Sequence, residues 1–87
     1  MFMAKVIGNV VATMKEESLV GYKLMIIRRI NVKEEEVGQE EIAADYVGAG
    51  IGDCVLIGQG SSVRVSETKK NAPIDMAVIG IIDSIDV

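Results

Sequence analysis

The chain has no histidine and no tryptophan, one cysteine, one proline and three aromatic residues, Phe2, Tyr22 and Tyr46. Each absence removes a class of chemistry. Without histidine the commonest general base and metal ligand is missing, and Cys54 alone cannot complete a zinc or haem site, so no cofactor is expected. One thiol also excludes a disulfide within the chain and fits a reducing compartment. Three separated aromatics make no stacking platform for single-stranded nucleic acid, and a net charge of -4 opposes the clustered Lys and Arg that phosphate binding requires. No apolar run approaches the roughly 18 residues of a membrane span, and Met1 to Lys5 lacks the basic segment and long apolar core of a targeting signal. The expectation is a cytoplasmic protein with neither membrane nor nucleic acid as partner.

What is abundant is aliphatic. Of the 87 residues, 49% are apolar, and with so few aromatics the excess is Val, Ile, Leu, Met and Ala. One domain spanning 1–87 is expected, and a domain this small buries only about 60–65% of the surface its unfolded chain exposes. With no disulfide or metal to help, oligomerisation is the remaining source of stability.

Apolar residues recur at strand spacing. Ala4 to Thr13 reads as a first strand, with a bulge or close contact at Gly8, and Lys23 to Val32 as a second, with Arg28 and Arg29 on opposite faces. Lys33 to Glu41 holds five glutamates and Gly38 and reads as a mobile loop. Ile42 to Val47 resumes the apolar pattern, and Asp53 to Gln59 is a short buried strand in which Cys54 is a small hydrophobe. After Gly60, Ser61 or Ser62 suits the N-cap of one helical turn, and Asn71-Ala72-Pro73 forces an extended entry to the last strand, about Met76 to Ile85. That strand sets Ala77, Ile79 and Ile81 on one face and Val78, Gly80 and Ile82 on the other. Both faces are apolar, and no amphipathic helix is available to cover the second. A neighbouring subunit is the economical cover, so Val78, Gly80 and Ile82 are candidate interface residues.

Between the middle strands lies Asp45-Tyr46-Val47-Gly48-Ala49-Gly50-Ile51-Gly52-Asp53. Three glycines at alternate positions describe a tight connection using positive φ and a backbone built for close approach. The pattern lacks the G-x-G-x-x-G spacing of a dinucleotide loop and the trailing Lys-Ser or Lys-Thr of a P-loop, and Asp53 would repel phosphate. Asp45, Asp53, Asp75, Asp83 and Asp86 offer a carboxylate dyad as the one acid–base route, but Asp at strand ends is usually a turn or capping residue. Ser61 and Ser62 have no histidine to activate them and read as loop hydroxyls. Arg64 is placed to bind a main-chain carbonyl or a carboxylate such as Asp45.

The order and spacing of three blocks carry a resemblance: Ala44 to Leu56 with its glycines, Gly60-Ser61-Ser62-x-Arg64, and Pro73-Ile74-Asp75-x-Ala77-Val78-Ile79-Gly80-Ile81-Ile82-Asp83. Gly8-Asn9-Val10-Val11-Ala12-Thr13-x-Lys15 and Leu19 to Ile27 extend it over nearly the whole chain. The chain resembles the EutN/CcmL family of bacterial microcompartment vertex proteins. The resemblance implies an all-β fold, a small OB-like β-barrel with short helical turns. It also implies a homopentamer that caps the corners of a shell built from hexameric proteins, with no enzyme activity. Gly48, Ala49 and Gly50 are then expected near the five-fold opening, and Ser61, Ser62 and Arg64 in a structural loop. The competing reading is a single-stranded nucleic-acid-binding OB domain, which the scarcity of aromatics and the charge disfavour.

Overall fold

A computed structural model describes residues 1–13, 17–19, 21–63 and 74–87. Five strands form, β1 (Phe2–Val10), β2 (Leu24–Ile30), β3 (Glu36–Asp45), β4 (Cys54–Gln59) and β5 (Met76–Ile81), closed in the order β1-β2-β3-β5-β4. All pairs are antiparallel except β3 with β5, which run parallel where Ala44 meets Ala77 and Asp45 meets Val78. Closure removes free sheet edges, as in small OB-like barrels. The all-β expectation holds.

Strand alternation fills the barrel. Ala4 and Val6, Met25 and Ile27, Ala43, Val55 and Ile57, and Val78 all point inward and are at most 1% exposed. Complete burial of a side chain such as Ile27 or Ile57 stabilises the fold by about 1.5–3 kcal/mol. A second apolar cluster lies outside the barrel, where Ala44, Val63, Ile74 and Ala77 pack with Leu19, Tyr22, Leu24 and Tyr46. It holds the 3-10 turn Gly60–Val63 against the wall, and the Tyr46 hydroxyl donates to the Val63 carbonyl at 2.9 Å.

Three irregularities adjust the pairing, one of them between Arg28 and Ile30 where β2 meets β3. Val6 pairs with Ile27 but Gly8 with Ile26, so the irregularity expected at Gly8 is present. On β5, Ile57 faces Val78 and Leu56 faces Gly80, which leaves Ile79 as an extra residue. The simple alternation anticipated for the last strand breaks there, because a bulge switches the phase of every later side chain.

The glutamate-rich segment overturns another expectation. Glu36 to Glu41, read as part of a mobile loop, forms the first six of the 10 residues of β3, with Arg28 opposite Glu40 and Ile27 opposite Glu41. Its charges are cross-strand partners: Arg28 pairs with Glu36 and Glu40, and Arg29 Nε lies 3.4 Å from a Glu41 oxygen.

Candidate assembly site at the glycine-rich loop

Residues 46–52 join β3 to β4 and are fixed from both ends. Asp45, 9% exposed, closes β3, and its Oδ1 accepts the amides of Val47 and Gly48, each at 3.1 Å. At the other end Asp53 Oδ2 accepts the Gly50 amide at 2.8 Å, while its own amide donates to the Gly50 carbonyl at 3.1 Å. The Gly52 amide donates to Val6 O at 2.8 Å, and the Tyr46 amide donates to Val78 O at 3.2 Å. Between these ties Ala49 drops into the barrel core, 2% exposed. The loop is therefore a plug with its rim pinned.

The glycines are not equivalent. Gly48 and Gly52 have φ of 81° and 96°, the left-handed region where a Cβ is strained. Gly50 has no positive φ, and a Cβ there would meet only Asp53 Oδ2 at 3.8 Å, an ordinary contact. Among the described residues nothing requires glycine at 50. Beside it the apolar side chains of Val47 and Ile51 are 41% and 64% exposed.

This geometry leaves little for chemistry. The amides of Val47, Gly48, Gly50 and Gly52 already have acceptors within the protein, so they form no phosphate cradle. The Asp45 and Asp53 carboxylates are turn-capping groups, the plainer of the two readings of the sequence. Among the described residues no three His, Cys, Asp or Glu side chains converge as a metal site. The aromatics are engaged internally: the Arg29 guanidinium lies 3.8 Å over the Phe2 ring, and the Tyr22 and Tyr46 rings pack 5.3 Å apart. No base-stacking platform is formed by Phe2, Tyr22 and Tyr46.

Cys54 corrects an expectation. It is half-buried on the outside of β4 rather than in the core, and its thiol donates to Glu34 Oε1 at 3.2 Å. Burial, then the bond to Glu34 and its negative charge, push the thiol above its ordinary pKa.

The remaining anticipated residues divide. Val78 is sealed in the barrel, 0% exposed, so its side chain presents nothing to a neighbour. Gly80 faces outward opposite Leu56, and Ile82, just past β5, is half-buried with its amide on Cys54 O at 2.8 Å. Ile79, extruded by the bulge, supplies outward apolar surface at 37% exposure. Ser61 and Ser62 lie in the 3-10 turn Gly60–Val63; their cap hydroxyls, Arg64 and the Asn71 to Pro73 entry lie outside the described residues. Sequence reading missed Gly58, where a Cβ would come within 2.8 Å of Val63 Cγ1. A glycine inside an otherwise apolar strand was the available signal.

Set beside known proteins, residues 1–83 match the family described as ethanolamine utilisation protein EutN/carboxysome. The bacterial microcompartment shell vertex protein GrpN of Rhodospirillum rubrum is 44% identical over 86 residues, covering 99% of this chain and 97% of the relative. The solved structure of Gloeobacter violaceus CcmL superposes with a TM-score of 0.91 at 40% identity, covering 100% of this chain and 90% of that one. The solved GrpN pentameric microcompartment shell protein gives 0.87 at 42% identity, covering 100% and 98%.

Proposed function

The chain belongs to the EutN/carboxysome family, and from that membership we propose that it forms a homopentamer closing the five-fold vertices of a polyhedral bacterial microcompartment. The observation carrying this reading is the near end-to-end correspondence with a shell vertex protein. The family is one of structural shell proteins, not enzymes. On this reading 1–87 acts as one vertex domain, its place is the shell of a compartment in the cytoplasm, and its partners are hexameric shell proteins. A flat hexagonal layer closes only where five-fold corners interrupt it. A head-to-tail contact repeated five times supplies such a corner.

The glycine-rich loop fits the axial position. Gly48 and Gly50 are exposed, Ala49 anchors the loop from inside, and the freedom around Gly50 within one chain suits a site crowded by neighbouring copies. Native mass spectrometry of the purified protein should show five copies. Co-expressed with matching hexamers, it should yield closed polyhedra by electron microscopy, whereas hexamers alone should give sheets, tubes or uncapped shells. Closed shells of equal number and permeability without this protein would remove the vertex role.

A further inference from the structure

Among the described residues the outside of the barrel carries two apolar patches, one centred on β4 and the other on β2, which meet different ends of β1. Across β1, β4 and β5 the register sets Met3 beside Leu56 and Leu56 beside Gly80, with Ile79 extruded next to them. Across β1, β2 and β3 it sets Gly8 beside Ile26 and Ile26 beside Ile42, which is 48% exposed. The second patch continues into a groove of about 280 Å³ lined by Leu19, Leu24, Ile74 and Met76, with Glu41 and Asp75 in its lining. A charged row crossing β1, β2 and β3, Lys5 beside Arg28 and Arg28 beside Glu40, lies between Met3 and Gly8 of the two patches.

We propose that the first patch of one copy seats on the second patch of the next, and that this unlike contact builds the ring. The inference rests on the pentamer reading and adds which surfaces meet. A contact that uses one patch twice stops at two copies, whereas a ring needs two different patches on each copy. The chain has two, and a relative covering 100% of it is a pentamer. Both patches are aliphatic at the centre. The ion pairs of Arg28 with Glu36 and Glu40 neutralise charge beside them, the arrangement of apolar core and polar rim found in stable interfaces.

Two single substitutions test the pairing by native mass spectrometry. Ile79→Asp spoils the first patch and Ile42→Asp the second, and each alone should lose the pentamer, weakening association roughly 100-fold or more because a charge is buried without a partner. An equimolar mixture should then form a dimer of the two variants and nothing larger, because one intact patch of each kind remains. Pentamers persisting in either variant, or two monomeric variants that fail to pair, would overturn this assignment while leaving the ring itself standing. A monomeric parent protein would instead remove the ring reading. Should circular dichroism show an aspartate variant unfolded, the chain carrying Cys54→Ser, Ile42→Cys and Ile79→Cys replaces it. A short bismaleimide should link that chain into a ladder reaching five copies on a denaturing gel, and monomer alone would overturn the pairing.

Discussion

The segments on either side of β3 are held by different physics. After β3, residues 46–52 rest on a carboxylate that is 9% exposed, on main-chain bonds to β1 and β5, and on Ala49 in the core. Before β3, the turn from β2 rests on exposed groups: Asn31 Oδ1 accepts the amides of Lys33 at 2.9 Å and Glu35 at 3.1 Å, and Asn31 Nδ2 donates to Glu35 Oε1 at 3.0 Å. Glu34 there takes a φ of 62° without being glycine. Water competes for the side-chain bonds of Asn31 in the hairpin turn, whereas those of Asp45 at the start of the loop are partly buried. Polar residues in the loop should therefore matter to stability, and those in the hairpin to solubility and surface character.

The largest effect should come from Gly50, where the barrel itself leaves room for a side chain. Gly50→Leu should abolish or distort the pentamer while circular dichroism shows the barrel intact, since a Cβ at this position makes only an ordinary contact with Asp53 Oδ2 within the chain. A pentamer of unchanged yield and geometry would place Gly50 away from any crowded contact.

The same contrast explains what the sequence disclosed. Gly48 and Gly52 announce positive φ locally, so their turn was readable without knowing the fold. Ala4, Val6, Met25, Ile27, Val55 and Ile57 alternate without interruption, so the barrel core was readable as well. Glutamate reports exposure, not backbone, and Glu36 to Glu41 looked like loop because Arg28 and Arg29, which make a charged strand stable, lie on β2. Val78 was assigned to the wrong side because the Ile79 bulge is a property of the β4–β5 pairing, invisible in β5 alone.

Next in size is the carboxylate at the start of the loop. Asp45→Ala removes the acceptor of two main-chain amides and should destabilise the protein by about 2–3 kcal/mol in urea unfolding. Little change would mean that water reaches these amides as easily as it reaches the hairpin, and the contrast would fail.

Smaller still is the cross-strand ion pair. A double-mutant cycle on Arg28 and Glu40, with alanine at each, should give a coupling of about 0.2–1 kcal/mol that shrinks with added salt, because both side chains are partly solvated. A coupling well above that range, insensitive to salt, would show the hairpin to be as well sheltered as the glycine-rich loop.

The smallest effect reads the hairpin turn directly through the chain's one thiol. Burial raises the Cys54 pKa first, and the hydrogen bond to Glu34 and its charge raise it further. Below the folded pKa a raised value means less thiolate, so iodoacetamide should alkylate Cys54 in the folded protein more slowly than it does a free cysteine at pH 7.5. Glu34→Gln removes the charge but leaves the burial, so it should lower the thiol's pKa part of the way and speed alkylation a few-fold at that pH, by the usual dependence of rate on thiolate fraction. The difference should vanish at alkaline pH, where both proteins carry thiolate. Identical pH–rate profiles would mean that the turn does not hold Glu34 against β4 in solution. The exposed hairpin would then be looser than its asparagine-centred bonds imply, and the contrast with the pinned loop after β3 would widen.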